Sequence, residues 1–401
     1  MGSMKKKRKA WMQVCFVILS AALLLLFWLV PFIGQKDISE TENRSLARLP
    51  AFSAAAFLDG GYQDNLENAA GDQLVFSEEL RSAVKEIQAS LLMAEQDLLC
   101  LVNPSLRNGY NQIADGYYIY QHDEHRIIEK PLDYEQNARD ISAFAEPFNR
   151  LEGVRRYLYF INNSRSMDFD HPESFSSVYD RVCSFFTLDG AACFTSEDYE
   201  DYCRWFYQTD HHWNDEGFYR GYREIVSLLK PEDNPVGPGE RLTTDAVFNG
   251  SYARVTKSLR ADERFVVRTF DLPKHTVMLN GKRGNYGRQK AYQSGRFSAE
   301  PLTNHYANCY GGDYGEIVYD FGTKGRGRLL LIASSYSNPI NGLIASHFDE
   351  TRVIDLRYYK AYAGCDFDPA DYVREHNIDT VLLLGDIRLF LPDAAAEEGD
   401  C

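Results

Sequence analysis

The stretch "GRLLLIASSYSNPINGLIASHF", residues 327–348, decides the fold class. Near its beginning lies a continuous apolar run, which is typical of a strand buried on both faces of a parallel sheet. Pro339 suits the first position of a helix, so a helix is predicted after this strand. A second strand, a helix and a third strand are then predicted in "TRVIDL" (351–356), "DPADYVREHN" (368–377) and "IDTVLLLG" (378–385). This β-α-β-α-β order predicts an α/β fold with a parallel sheet, in which ligands bind at the carboxyl ends of the strands.

The turn after the first of these strands contains Ser334, Ser335 and Ser337. A serine at this place lies on a sharp turn at the open end of the sheet, beside the free backbone N–H groups of a helix start. Those N–H groups and the helix dipole can stabilise an oxyanion. Serine is also a common residue in turns and caps, so the position alone does not establish chemistry.

A second reactive segment, "YQTDHHWNDEGF", occupies residues 207–218. Alternate residues of an extended or looped backbone point the same way, so Asp210 and His212 are expected to share one face. An aspartate at this spacing can accept a hydrogen bond from the histidine Nδ1–H, which leaves Nε2 free to take a proton from a serine. Asn214 is predicted to cap the helix that follows, and Asp368 to cap the helix predicted in 368–377.

A metal site built from Asp210, His211 and His212 is the alternative interpretation of this segment. Adjacent residues rarely converge on one ion, and the sequence has no supporting Asp/His cluster at suitable spacing elsewhere. No metal and no cofactor are therefore predicted, and His211 is expected to be structural.

The N-terminal part predicts a membrane anchor. Five basic residues between positions 5 and 9 precede the apolar segment 11–33, which is long enough to cross a bilayer because roughly 20 apolar residues suffice. No cleavage site follows it, and the basic cluster should stay in the cytoplasm. The expected organisation is a cytoplasmic tail (1–10), a transmembrane anchor (11–33), a stalk (34–60), an extracellular domain (61–390) and a flexible tail (391–401).

The charge balance excludes nucleic acid as a partner. Without the five N-terminal basic residues, 38 Lys and Arg face 58 Asp and Glu, so the exported part carries about 20 negative charges. The stretch 274–296 is a local exception with six basic and no acidic residues. It is either a solvated loop or a contact for an anionic or sugar ligand. The eight cysteines fit no zinc pattern, and their pairing cannot be read from the sequence.

Several motifs together resemble the bacterial DHHW family, which is named for the "DHHW" in "YQTDHHWNDEGFYRGY". The resemblance spans about residues 41–390. It includes, in family order, "ENRSLARLPAFS", "FNGSYARV", "YGGDYGEIVYDF" and "LLLIASSYSNPINGLIASHF". Members of this family resemble the alginate O-acetylation proteins, so the resemblance implies an SGNH-hydrolase-like, three-layer α/β fold. The topology is expected to be permuted, because the serine comes last in the chain.

The resemblance implies a catalytic triad in which Ser335 is the nucleophile, His212 the base and Asp210 its orienting acid. Many members read "DSY" where this chain has Ser334-Ser335-Tyr336, so the nucleophile is retained and an acid is lost. Further candidates for substrate or oxyanion contacts are Ser334, Tyr336, Asn338, Arg357 and Trp213. Trp213 is expected either to pack or to line the pocket, and Arg357 either to contact substrate or to form a structural ion pair.

The function that the resemblance implies is O-acetylation of an exported polysaccharide through an acetyl-serine intermediate. The expected partners are the polysaccharide and a multi-pass membrane acyltransferase that supplies acetyl groups, at the outer face of the cell membrane. Two alternatives stay open at this point. One is a carbohydrate acetylesterase with the same triad, and the other is a non-catalytic scaffold or polysaccharide-binding member of an export complex.

Overall fold

A computed structural model describes residues 35, 38–39, 44–51, 57, 61–73, 77–102, 109–121, 123–131, 137–284, 289–298, 300–312 and 314–391. The predicted cytoplasmic tail and anchor lie outside these residues, as does the predicted C-terminal tail beyond Leu391. No helix within the described part of the chain is both long and apolar enough to cross a bilayer. The chain divides into two units between Ile87 and Gln88. The domain bounds from the sequence stay a prediction.

In chain order, the strands of the described residues are β1 (Ile38–Ser39), β2 (Arg44–Ser45), β3 (Tyr110–Ala114), β4 (Tyr117–Tyr120), β5 (Ile128–Glu129), β6 (Arg155–Ile161), β7 (Gly190–Phe194), β8 (Glu240–Val247), β9 (Arg264–Thr269), β10 (Thr276–Leu279), β11 (Lys282–Gly284), β12 (Glu316–Asp320), β13 (Arg328–Ala333), β14 (Glu350–Ile354) and β15 (Thr380–Gly385). The helices are α1 (Gly61–Gln73), α2 (Ser77–Val102), α3 (Ala138–Asn149), α4 (Ser177–Cys183), α5 (Tyr199–Trp205), α6 (Asp215–Leu229), α7 (Ser251–Thr256), α8 (Gln289–Gln293), α9 (His305–Tyr310), α10 (Asn341–Ala345), α11 (Leu356–Ala363) and α12 (Pro369–His376).

An eight-stranded sheet forms the centre of the second unit, in the order β11-β10-β12-β14-β13-β15-β6-β7. The strands from β14 to β7 in this order are parallel to one another. The other three pair antiparallel. The prediction of a parallel sheet is therefore correct for the half that carries Ser335 and wrong for the opposite edge. Antiparallel strands at one edge of a doubly covered sheet are common, because an added hairpin needs no helical crossover.

Both faces of this sheet are covered, which makes the arrangement three-layered. On β13, Leu331 packs with residues of α6 on one face, including Phe218 and Tyr222. The next residue, Ile332, points to the other face, where residues of α3 and α12 complete a second apolar cluster. Successive side chains of a strand alternate between faces, so a strand with apolar residues on both faces must be covered twice.

The strands and helices predicted in the last quarter of the chain are confirmed, with one correction. The predicted helix caps form, since Asn214 accepts from Glu216 N and Gly217 N, and Asp368 accepts from Ala370 N and Asp371 N. The helix predicted after the first strand forms, but its predicted start at Pro339 is wrong. A 3-10 turn, Ser335–Ser337, comes first and α10 begins only at Asn341. Bonds from Ser337 N to Ser334 O and from Asn338 N to Ser335 O wind this turn more tightly than an α-helix.

Candidate active site

The three residues of the predicted triad lie in one hydrogen-bonded line. Ser335 follows the central parallel strand β13, and Asp210 and His212 lie on the loop between α5 and α6. His212 Nε2 is 2.8 Å from Ser335 Oγ, and His212 Nδ1 is 2.6 Å from Asp210 Oδ1. All three side chains are buried. The structure thus brings together residues that are 123 positions apart in the chain, in the order that proton transfer requires.

The loop that carries Asp210 and His212 is held at both ends. Phe206 and Trp213 form an antiparallel bridge, and Tyr207 N donates to His212 O across the loop. Within the loop, Asp210 Oδ1 accepts the backbone N–H of His212 at 2.9 Å, which is an Asx turn. The carboxylate is therefore fixed by the same segment whose imidazole it orients.

The other oxygen of Asp210 is bound from outside the loop. Asp210 Oδ2 accepts the backbone N–H of Ser251 at 2.6 Å, at the start of α7. Burial alone would raise the pKa of the Asp210 carboxyl. The neighbouring imidazoles of His212 and His211, the hydrogen bond from His212 and the nearby Arg254 outweigh burial and hold that pKa well below its usual range. Asp210 is consequently an anion at neutral pH, so His212 Nδ1 must carry the proton that it shares with the carboxylate.

Position 250 requires a glycine, because the Asp210 side chain occupies the space that any larger side chain there would need. A Cβ on Gly250 would lie 2.3 Å from Asp210 Cβ and 2.4 Å from Asp210 Oδ2. Gly250→Ala is therefore expected to displace the carboxylate, to lower the free energy of unfolding by about 1–3 kcal/mol and to lower activity on an acetyl ester. Thermal unfolding and ester hydrolysis measure the two effects. Gly237→Ala is the control, because no atom lies within 4 Å of a Cβ there. Equal behaviour of the two variants would contradict this account of Gly250.

A cleft of about 290 Å³, including space open to solvent, leads to Ser335. Its lining consists of Asp210, His211, His212, Arg254, Asn304, Tyr306, Ala307, Gly311, Ser335 and Asn338. Tyr306 stacks on the His212 ring, with ring centroids 3.8 Å apart and planes inclined by 14°. The Tyr306 hydroxyl also donates to Ser335 O at 3.0 Å. Tyr306 thus contacts both the imidazole of His212 and the backbone of Ser335, to which that imidazole is hydrogen-bonded.

The sequence does not predict the roles of Tyr306 and Arg254. No motif singles out Tyr306, which lies on α9 within a stretch of aromatic residues. Arg254 is part of "FNGSYARV", which supports the resemblance to the DHHW family but predicts no role for it at the site. Arg254 is only 2% exposed and lines the cleft. A buried arginine so close to the Asp210 carboxylate offsets negative charge at the back of the cleft.

Of the other site candidates, some line the cleft and others lie away from it. Asn338 lines the cleft beside Ser335, as expected of a substrate contact. Ser334 Oγ is buried and has no hydrogen-bond partner within the described part of the chain. Of the two roles expected for Arg357, the structure shows the ion pair, since its guanidinium makes two bonds to the carboxylate of Asp355 and lines no part of this cleft.

The expected substrate contact of Tyr336 is corrected, because its side chain is buried and does not line the cleft. Trp213 is also buried and packs in the core, which is one of the two roles expected for it. The Tyr336 hydroxyl donates to His211 O at 2.5 Å, and Trp213 Nε1 donates to Tyr336 O at 3.1 Å. These two bonds join the segment with the serine to the segment with the histidine. The slot for Trp213 exists because α6 has Gly221 there, where a Cβ would lie 2.5 Å from Trp213 Cζ3.

Asp210, His211 and His212 also form the one group of possible metal ligands, within 4.8 Å of one another, that we find among the described residues. Each of these side chains already has a hydrogen-bond partner. His212 holds Asp210 and Ser335 with its two ring nitrogens, and His211 Nδ1 lies 2.9 Å from Ser251 Oγ. An ion bound by His212 would have to replace its hydrogen bond to Asp210 or to Ser335, so the geometry favours a proton relay.

Removal of metal ions is therefore expected to leave activity unchanged. The measurement is hydrolysis of p-nitrophenyl acetate after exhaustive dialysis against EDTA, compared with an untreated sample. If activity is lost and added Zn²⁺ restores it, the proton relay is contradicted and the alternative, a metal site built from Asp210, His211 and His212, is favoured.

Comparison with known proteins agrees with the resemblance seen in the sequence. The solved structure of a DHHW family protein from Eubacterium siraeum is similar over 73% of this chain and 96% of that chain, with a TM-score of 0.54 and 16% identity. Bacillus cereus PatB1, solved with a sulfonyl adduct, matches over 68% and 96% of the two chains, with a TM-score of 0.49 and 19% identity. The O-acetyltransferase domain of Pseudomonas putida AlgJ matches over 69% and 96%, with a TM-score of 0.36 and 11% identity.

No protein-family model matches the chain, and no curated protein matches it. The resemblance to the DHHW family is confirmed at the level of the fold.

Proposed function

We propose that this chain is an acyl-transfer enzyme that moves acetyl groups onto the hydroxyls of a polysaccharide through an acetyl-Ser335 intermediate. The observation that carries the proposal is the line from Asp210 through His212 to Ser335, with distances of 2.6 and 2.8 Å, at the end of an open cleft. A buried serine, a histidine and an ionised carboxylate in this order form the arrangement that activates a hydroxyl as a nucleophile.

In the first half of the reaction, Ser335 Oγ attacks the carbonyl carbon of the acetyl donor while its proton passes to His212 Nε2. The bond to the leaving group then breaks, and the leaving group takes the proton from His212. In the second half, a sugar hydroxyl gives its proton to His212 as it attacks acetyl-Ser335. The ester breaks, and the proton returns to Ser335 Oγ. Asp210 stabilises the imidazolium in both halves.

The negative charge that develops on the carbonyl oxygen needs donors beside Ser335. The 3-10 turn starts at Ser335, and the first N–H groups of such a turn have no acceptor within the turn. We assign the Ser335 N–H and the Asn338 side chain, which lines the cleft, to this role.

The proposed setting is the outer face of a membrane. The apolar segment 11–33 would anchor the chain, and a multi-pass acyltransferase would supply acetyl groups to Ser335 from inside the cell. The support for this setting comes from the amino-acid sequence, with its basic residues before position 10 and its acidic remainder.

Supplying an acceptor tests the proposal. The full chain in detergent is incubated with p-nitrophenyl acetate, with and without a panel of oligosaccharides, and sugars and free acetate are analysed by mass spectrometry. Acetylated sugar that depends on Ser335 supports the transferase. Acetate alone, whatever the sugar, would replace it with the esterase, since the same relay can activate water. Equal turnover by wild type and Ser335→Ala would reject both and favour a binding protein.

A further inference from the structure

Five buried polar side chains form a connected network behind the line from Asp210 to Ser335. We call this network the support ring. Its members come from β5, from the segment after β6, from α7 and from the segment after β15, and they are Glu129, Asn163, Arg165, Tyr252 and Asp386. The network therefore ties together elements that are far apart in the sequence.

The contacts within the support ring are short and continuous. Asp386 Oδ2 accepts from Asn163 Nδ2 at 2.8 Å and from Arg165 Nη1 at 2.9 Å. Arg165 Nε donates to Glu129 Oε2, which also accepts the Tyr252 hydroxyl at 2.8 Å. Burial, with the Glu129 charge added, raises the pKa of Tyr252 well above its ordinary value, so its hydroxyl stays a donor. Every member thus has at least one partner within the ring.

One end of the support ring reaches the serine side of the active site. Asn163 Nδ2 donates to the Tyr336 hydroxyl at 2.6 Å, and that hydroxyl donates to His211 O. Tyr336 directly follows Ser335, and His211 directly precedes His212. Asn163 therefore fixes the residue that joins the nucleophile turn to the histidine loop.

The other end of the support ring reaches Asp210. Tyr252 lies in the first turn of α7, and its N–H donates to Thr209 O at 3.0 Å. The residue before it, Ser251, donates its own N–H to Asp210 Oδ2. The hydrogen bond from the Tyr252 hydroxyl to Glu129 thus fixes the first turn of α7, whose Ser251 N–H binds the Asp210 carboxylate.

Stability is a weak reason for such a network. Removing ions from water is costly, and a buried ion pair is often no more stabilising than apolar residues of the same volume. We propose that the support ring positions the catalytic line, by fixing the turn of Ser335 at one end and the carboxylate of Asp210 at the other. This inference rests on the proposed role of Ser335 as a nucleophile. Glu129, Arg165 and Asp386 touch no substrate and act through Tyr336 and α7.

The chain contains a matched control for this proposal. Tyr372 on α12 donates its hydroxyl to the buried carboxylate of Glu316, which Arg352 Nη1 also binds at 3.0 Å. This Tyr-Glu-Arg cluster repeats the chemistry of Tyr252, Glu129 and Arg165. None of its hydrogen bonds among the described residues reaches Asp210, His212 or Ser335.

The test compares Tyr252→Phe and Tyr336→Phe with Tyr372→Phe, all in the full chain. The readouts are the second-order rate at which phenylmethylsulfonyl fluoride labels Ser335, measured by intact mass, and the melting temperature. We expect the first two variants to be labelled about 10- to 100-fold more slowly than wild type, because losing a group that orients a reactive residue has effects of this size. Tyr372→Phe should be labelled at the wild-type rate, although all three variants lose a buried, hydrogen-bonded hydroxyl and melt at lower temperature.

Equal labelling rates in all three variants would overturn the proposal, even with Ser335 as the nucleophile. If wild type is not labelled, or Ser335→Ala is labelled equally, the nucleophile itself is wrong and the proposed function falls as well. Should Tyr252→Phe fail to fold, Tyr336→Phe decides alone, because it leaves every hydrogen bond between members of the support ring intact.

Discussion

Replacing Ser335 with alanine is expected to lower the rate of acyl transfer about 10⁵- to 10⁶-fold, the largest effect of any single substitution. The variant has no atom that can form the acyl ester, while Asp210, His212 and the cleft remain. Only binding and oxyanion stabilisation can then accelerate the reaction. The measurement is hydrolysis of p-nitrophenyl acetate by the full chain, with the rate at saturation and the KM determined separately.

The matched control is Ser337→Ala, in the same 3-10 turn. Ser337 is equally buried, but its hydroxyl donates to Ser334 O at 3.1 Å and lines no part of the cleft. We expect this variant to keep its activity within a few-fold, apart from a small loss of stability. A loss as large as that of Ser335→Ala would mean that the turn as a whole is required and would contradict the assignment of one nucleophile.

The second largest effect is expected for Asp210→Asn, at about 10⁴-fold in the rate at saturation. An asparagine keeps the size of the side chain but can present an N–H to His212 Nδ1. The imidazole would then carry its proton on Nε2, where it could no longer accept the proton of Ser335. Because the pKa of Asp210 lies well below its usual range, the wild-type carboxylate stays ionised as the pH falls into the mildly acidic range.

The sign of the stability effect follows from the same lowered pKa. The ionised Asp210 stabilises the fold above the ordinary pKa of an aspartate, and this stabilisation is lost only as the pH falls toward the lower pKa of the folded state.

The control for Asp210→Asn is Asp215→Asn, which removes another buried carboxylate, paired with Arg268 at 2.7 Å. It should lower the melting temperature with little effect on turnover. Equal losses of turnover in the two variants would refute the tautomer argument for Asp210.

The sequence predicted the parts of the site that depend on local patterns. The apolar run before Ser335 and the Asp-X-His spacing of Asp210 and His212 are both visible within a few residues. Ser335 lies at the end of a strand, and Asp210 and His212 lie in one short loop, so the local backbone geometry alone predicts where these side chains point. The same holds for the caps at Asn214 and Asp368.

The rest depends on contacts between distant parts of the chain, which no local pattern encodes. Asn163 and Asp386 are 223 positions apart, so their bond is visible only in the folded sheet, where β6 and β15 are neighbours. Tyr306 stacks on His212 because α9 packs against the loop of residues 210–212. A single tyrosine in the sequence does not predict this contact. The sequence left two roles open for Trp213, in the core or in the cleft; the choice depends on Gly217 and Gly221 of α6, which leave space for its buried side chain.

The covalent intermediate is the most direct test of the central claim. The full chain is mixed with p-nitrophenyl acetate, quenched in acid during the first turnovers, digested and mapped by tandem mass spectrometry. We predict an acetyl group on Ser335 of the wild type, at a stoichiometry that falls when an acceptor sugar is added, and no acetyl group at this position in Ser335→Ala. Turnover of the ester with Ser335 unmodified, or with the acetyl group on another residue that both proteins share, would contradict it.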